Sequence, residues 1–158
     1  MRTIKFRGKD VKTSHWVYGA YHEHIDITPA AFYKDAESRE NHIKEHTHYL
    51  IMQDAFSDYC MPRNIQCFDV TSETIGQFSG LYDCNEKEIY EGDILKWSNG
   101  RLYVVKFWQG MFYASVEECN EGVLGGFPLH ALTEHKEGKC EIVGNIYDNP
   151  EYLKGGKE

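Results

Sequence analysis

Three of the chain's eight histidines, His42, His46 and His48, fall within seven residues. On a helix His42 and His46 would share a face at i, i+4, the spacing zinc ligands use. His22 and His24 would share a strand face. The intervening sequence is His42-Ile-Lys-Glu-His46. No glutamate follows the first histidine, and a lysine stands between the would-be ligands. Exposed polar histidines are therefore the stronger reading, and a transition-metal site on His42, His46 and His48 the weaker.

The other chemical candidates also have plainer explanations. Cys60 and Cys67 flank Pro62-Arg63, but a nucleophilic thiol needs more than one nearby cation to lower its pKa. Asp83, Glu86, Glu88, Glu91 and Asp93 cluster as acid–base or metal residues do. In that setting, with Gly92 before Asp93, they read as turn and corner residues. Gly122-Val-Leu-Gly-Gly-Phe-Pro128 lacks the lysine and following Ser/Thr of a phosphate loop, and reads as a loop between strands. We expect no catalytic set, no metal and no cofactor. A hydrolase of unknown substrate, resting on the histidines alone, ranks a distant third among functions.

Composition narrows the classes further. The 158 residues suit one domain or two small lobes, and eleven Tyr, eight Phe and three Trp supply apolar bulk. No apolar run is long enough to span a membrane, and the start lacks the pattern of a signal peptide. Five scattered cysteines with no CxxC pair suggest free thiols in a reducing compartment, so the expected location is the cytoplasm. A net charge of −8 opposes wholesale wrapping of nucleic acid. A local basic strip remains, in which Lys5, Arg7 and Lys9 share a strand face, with Trp16 and Tyr18 on the next strand.

These residues need elements to position them. Residues 3–7 and 15–21 read as neighbouring strands. Residues 29–46 are the best helix candidate, with Thr28 as N-cap and Pro29 at the first position. Their apolar content is thin, so 29–48 reads as a polar insertion, a short helix or a loop excursion. Tyr49–Met52 and Ile65–Val70 are short strand signals. The expected layout is an N-terminal β lobe over 1–73, a second lobe over 74–150 and a tail over 151–158.

The second lobe can be read in register. Asn99-Gly100 as a two-residue hairpin loop pairs Trp97 with Leu102 and Leu95 with Val104. Gln109-Gly110 pairs Phe107 with Phe112 and Val105 with Ala114. Ile94, Tyr103, Val105, Phe107, Phe112, Ala114 and Val116 then share one face, the expected interior. The opposite face carries Leu95, Trp97, Leu102, Val104, Trp108 and Met111, too apolar for a wet side. Either the first lobe or another copy of the chain should cover it. A last strand over Glu141–Tyr147 has Gly144 at a bend or bulge. A three-strand meander, a linker over 119–130 and a return strand together suggest an SH3-like barrel.

Three blocks resemble the YopX family of phage and prophage proteins: Met1-Arg-Thr-Ile-Lys-Phe-Arg-Gly…Trp16-Val-Tyr-Gly, Glu73-Thr-Ile-Gly-Gln-Phe-Ser-Gly-Leu…Glu88-Ile-Tyr-Glu-Gly-Asp-Ile, and Ile142-Val-Gly-Asn-Ile-Tyr-Asp-Asn-Pro. The resemblance implies a mainly β protein with a C-terminal SH3-type barrel, encoded by a mobile element and acting in a bacterial cell. It carries no catalytic residues. The chain departs from the family at Asp83-Cys-Asn-Glu-Lys-Glu, where a glycine is usual at position 86, which suggests a looser turn. The acidic stretch 34–48 also departs from the shorter connections of the family.

Two functions follow as expectations. The first is a non-catalytic homo-oligomeric interaction module, with Leu95, Trp97, Leu102, Val104, Trp108 and Met111 as its surface and a phage or host protein as a further partner. The alternative is a single-stranded nucleic-acid-binding barrel that uses Lys5, Arg7, Lys9, Trp16 and Tyr18.

Overall fold

In a computed structural model the chain is described over residues 3–26, 33–54, 65–116, 126–133 and 139–153. The protein is mainly β and antiparallel, and it divides into two compact units, one of Lys5–Ile75 and the other of Gly76–Glu158 together with Met1–Ile4.

The first unit contains β1 (Phe6–Lys9), β2 (Trp16–Ile25), β3 (Thr47–Asp54) and β4 (Ile65–Asp69), hydrogen-bonded side by side in the order β4-β3-β2-β1. Directly paired residues share a face, so the register sorts the side chains. Gly8 opposite Val17, Tyr21 opposite Ile51, and Ile51 opposite Phe68 place the apolar residues on one side. Val17, Ile51 and Val70 are buried there, with Phe6, Tyr21, Tyr49, Phe68 and Ile75 packed around them. The other side carries Arg7, Lys9, Trp16, Tyr18, His24 and His48. The β1–β2 turn is held by Asp10, whose Oδ2 accepts from the Thr13 amide at 3.0 Å and the Thr13 hydroxyl at 2.6 Å. The Thr13 contacts hold the Asp10 carboxyl below the usual range.

The polar insertion does contain a helix, α1 (Ala36–Glu45), but it starts later than the sequence suggests. Asp35, not Thr28, is its N-cap, accepting from the Ser38 amide at 2.7 Å. Thr28 and Pro29 lie outside the described residues. No residue of α1 is buried, which follows from its thin apolar content.

The second unit contains the β5 (Gly76–Tyr82) and β6 (Glu88–Tyr90) hairpin. It also holds a five-stranded sheet of β7 (Asp93–Trp97), β8 (Leu102–Trp108), β9 (Met111–Ser115), β10 (Gly126–Pro128) and β11 (Cys140–Asn145), ordered β10-β9-β8-β7-β11. This order leaves β10 and β11 at opposite edges, so among the described residues the sheet is open. The expected SH3-like barrel is not closed. Residues 126–130 are not linker either: they form β10 against β9 and begin a five-residue helix, α2 (Leu129–Thr133). The buried Leu129 and Leu132 of α2 join the core.

The β8–β9 register is the one the Gln109-Gly110 turn implies, with Phe107 opposite Phe112 and Val105 opposite Ala114. The β7–β8 register is not. Leu95 pairs with Tyr103 and Lys96 with Leu102, one residue away from the expected pairing. The loop has three residues, closed by Trp97 and Arg101, and only Gly100 (φ 86°) is left-handed. A two-residue type I′ loop would have required positive φ at Asn99 as well. A one-residue slip turns every β7 side chain to the other face. Leu95 therefore lies in the core with Ile89, Tyr103, Val105, Phe112, Ala114, Leu129, Leu132 and Cys140. Ile94 moves to the opposite face, where it pairs with Val104 and both are buried. Phe107 and Val116 were expected inside but are exposed: Phe107 lies next to the hairpin end of β8, and Val116 lies just past the end of β9.

Gly144 does mark a bulge in the β11–β7 ladder. A Cβ there would run into the Asn149 side chain, whose Oδ1 accepts from the Asn145 amide. The bend therefore needs glycine.

Candidate functional site

The sheet of the second unit does not bring the six expected interface residues together. Leu95 is fully buried in the core and Val104 is also buried. Trp97 is partly buried against the core and, with Tyr103, Phe127, Ala131 and Leu132, lines an apolar cavity of about 290 Å³. Leu102 is partly buried. Only Trp108 (47 % exposed) and Met111 (46 % exposed) stand out into solvent.

These two face each other across the Gln109-Gly110 turn, as the last paired residues of the β8–β9 hairpin. Gln109 (φ 46°) and Gly110 (φ 84°) are both left-handed, so the turn is tight and leaves the tip little freedom. Phe107 is also 46 % exposed and lies on the other face, its ring 5.0 Å from that of Phe112. The tip thus presents apolar surface on both sides. Polar Lys106 and Tyr113 pair just behind Trp108 and Met111.

The basic strip is assembled in the first unit. Lys5 Nζ stands 5.8 Å from the Tyr18 ring centre, Arg7 Cζ 4.6 Å from that of Trp16, and Lys9 Nζ 5.5 Å from the same ring. Such cation–π contacts hold the cations against the rings. Arg7 is also buried. The aromatic surface that a base would stack on is engaged by the chain's own cations.

His42 on α1 and His46 at its C-cap do meet, stacked with ring centres 3.8 Å apart. His46 Nδ1 donates to the His42 carbonyl at 2.9 Å, which ties that nitrogen to the backbone. His48 lies on β3 and turns to carboxylates instead: its Nδ1 is 3.1 Å from Asp69 Oδ2 and its Nε2 3.6 Å from Asp26 Oδ2. His24, directly opposite His48, has its Nε2 3.1 Å from Asp26 Oδ1. His22 lies beside His24, with ring centres 6.3 Å apart. Among the described residues no three His, Cys, Asp or Glu side chains are grouped to hold a metal ion. The Asp26–His48–Asp69 contact escaped the sequence reading because the partners come from three separate stretches. Strand alternation puts His24 and His48 on one face only once the β2–β3 register is known.

The acidic cluster builds turns. Asp83 is buried, and its oxygens accept from the amides of Asn85 at 2.8 Å, Lys87 at 2.9 Å and Ile142 at 3.1 Å. The Cys84 amide donates to the Cys140 carbonyl at 2.8 Å, so this turn covers the outer edge of β11. That protects a strand edge from pairing elsewhere. Asp93 accepts from the Tyr90 amide at 2.7 Å, Glu88 from the Tyr90 hydroxyl at 2.6 Å, and Glu91 from the Phe107 amide at 3.3 Å. The turn spans three residues between Asp83 and Lys87, and Glu86 (φ 62°) takes a left-handed conformation at the position where glycine is usual in the family.

Of the thiols, Cys67 and Cys84 are exposed and Cys140 is buried. Burial pushes Cys140 up to about 12, which makes it an inert core thiol. Cys60 and Arg63, and residues 122–125 of the glycine-rich stretch, lie outside the described residues. No helix among the described residues is long and apolar enough to cross a membrane.

Comparison with known proteins adds a family. The model of the YopX protein family matches residues 5–154. Among solved structures, protein EF1440 from Enterococcus faecalis is similar over 97 % of this chain and 99 % of its own, at 21 % identity and a TM-score of 0.52. At that identity the likeness speaks for the fold alone. No curated protein matches the chain.

Proposed function

The chain belongs to the YopX family, and on that premise we propose that it is a non-catalytic interaction module that associates with itself through the tip of the β8–β9 hairpin. The observation that carries this reading is the pair Trp108 and Met111, opposed across a tight turn and half exposed, with Phe107 exposed on the reverse face. Large aromatic and Met side chains anchor protein contacts because they bury much area with few rotamers to fix. A rigid hairpin tip also loses little conformational freedom on docking. The family resemblance supports a phage or prophage setting in the cytoplasm of a bacterial cell, with a phage or host protein as a further partner. The candidate chemical groups support a role without catalysis, since the carboxylates hold turns and Cys140 is an inert thiol.

The test is a pair of variants read by solution mass and by unfolding midpoint. Trp108→Ala with Met111→Ala should lower the mass while shifting stability by no more than about 0.5 kcal/mol, as exposed substitutions do. An unchanged mass would remove the tip as the contact.

A second reading, single-stranded nucleic-acid binding, draws support from the gathering of Lys5, Arg7, Lys9, Trp16 and Tyr18 on one side of β1 and β2. The burial of Arg7 and the occupied Trp16 ring weigh against it. Salt-sensitive mobility shifts of oligonucleotides, lost in Lys5→Ala/Lys9→Ala, would establish it. Their absence would dismiss it.

A further inference from the structure

His48 stands where the polar excursion carrying α1 rejoins the sheet. The last rungs of the β2–β3 ladder are His24 opposite His48 and Ile25 opposite Thr47, and the Asp26 amide donates to the His46 carbonyl at 3.1 Å. Beyond those rungs the chain leaves for α1 and returns. The His48 ring is set between two carboxylates at this root. Nδ1 is 3.1 Å from Asp69 Oδ2 and Nε2 is 3.6 Å from Asp26 Oδ2. A neutral imidazole has one N–H, so it can satisfy only one of them and turns a lone pair towards the other. An imidazolium has a donor for each.

We propose that His48 is a proton-operated clasp which, when charged, ties the end of β2 and strand β4 to β3 and so fastens the root of the α1 excursion. The groups facing it are His24 across the β2–β3 ladder, Asp26 just after β2, and Asp69 on β4. His24 shares Asp26 through the other carboxylate oxygen. Two carboxylates thus serve His48, while His24 draws on only one of them.

The direction of the response follows from linkage. The Asp69 hydrogen bond, helped by the charges of Asp69 and Asp26, holds the His48 titration above its ordinary 6.5 despite some loss of hydration. A group raised in the folded state adds stability that is fully present below the unfolded value. That stability disappears as the pH rises through the folded value. The clasp is therefore closed in mildly acid solution and opens as the pH rises through the raised His48 value.

The experiment is a histidine side-chain NMR titration of the whole chain, run alongside hydrogen-exchange protection of the β2–β3 end and α1, corrected for the intrinsic rate at each pH. His48 should titrate above the ordinary histidine value and carry protons on both ring nitrogens in mildly acid solution. Protection at residues 24–26 and 36–48 should fall as that proton leaves. Asp69→Asn should lower the His48 midpoint and move the loss of protection with it. Asp26→Asn should do the same more weakly. His48→Gln should remove the pH step while leaving protection in β7–β9 unchanged. A His48 midpoint at or below the ordinary value, or one unmoved by Asp69→Asn, would overturn the proposal. So would protection that ignores the titration.

Discussion

The sheet of residues 76–158 and the sheet of residues 5–75 are both antiparallel, yet they are held together differently. Among the described residues the former buries nine side chains in one cluster, from Ile89 on β6 to Leu132 on α2, with Cys140 at the return strand. Among the described residues the latter's apolar cluster holds three buried side chains, Val17, Ile51 and Val70, with partly buried residues packed around them. Its other side is stitched by polar and cationic contacts: Arg7 and Lys9 on Trp16, and His48 between Asp26 and Asp69. Apolar burial is insensitive to pH, whereas exposed ion pairs are weak and screened. The thin-cored sheet is thus the one whose stability solution conditions can adjust, and the well-packed sheet is the one that can hold an exposed apolar hairpin tip in place.

The sharpest way to break this comparison is to truncate each core. Leu95→Ala is expected to cost about 2–5 kcal/mol, read from chemical unfolding. Ile51→Ala removes one of the three buried apolar side chains that the described residues place in its cluster. It should abolish exchange protection across β2 and β3 while β7–β9 stay protected. Simultaneous loss in both sheets would refute the contrast.

A smaller effect comes from glycines at close approaches. At Gly19 a Cβ would meet the Met52 carbonyl, which is backbone, whereas at Gly144 it would meet the tip of the Asn149 side chain. Gly19→Ala should therefore cost about 1–3 kcal/mol and Gly144→Ala less, since a side chain yields more easily than a strand. Equal losses in thermal unfolding would mean that the Asn149 turn is as rigid as the ladder. Smallest is a gain. Glu86 holds a left-handed φ, a conformation that costs an L-residue roughly 1 kcal/mol. Glu86→Gly should raise stability by about that amount, and no gain would show that the Glu86 side chain compensates.

What could be read in the sequence tracks how local the deciding physics is. The β8–β9 hairpin was legible because Gly110 adopts the left-handed conformation that glycine favours, and the alternating flanks then fix the register even though Gln109 must take the same conformation. The β7–β8 pairing was not, because Asn99-Gly100 favours a two-residue loop while the chain forms a three-residue one with only Gly100 left-handed. The choice lay with packing, which draws Leu95 inward beside Tyr103. Helix α2 is only five residues long and follows Pro128, too short to show a period. The basic strip was legible from strand alternation alone. That its cations would lie over Trp16 was not, since that depends on side-chain reach between β1 and β2. The His48 contacts span three segments, with Asp69 21 residues away, and no local pattern encodes them.

Self-association through the β8–β9 tip is decided by the solution mass of the wild-type chain across a dilution series, by light scattering coupled to size exclusion. A multimer that dissociates on dilution, and that Trp108→Ala/Met111→Ala converts to monomer at every concentration, is the expected result. A wild-type chain that stays at the 18.4 kDa monomer mass throughout would contradict it.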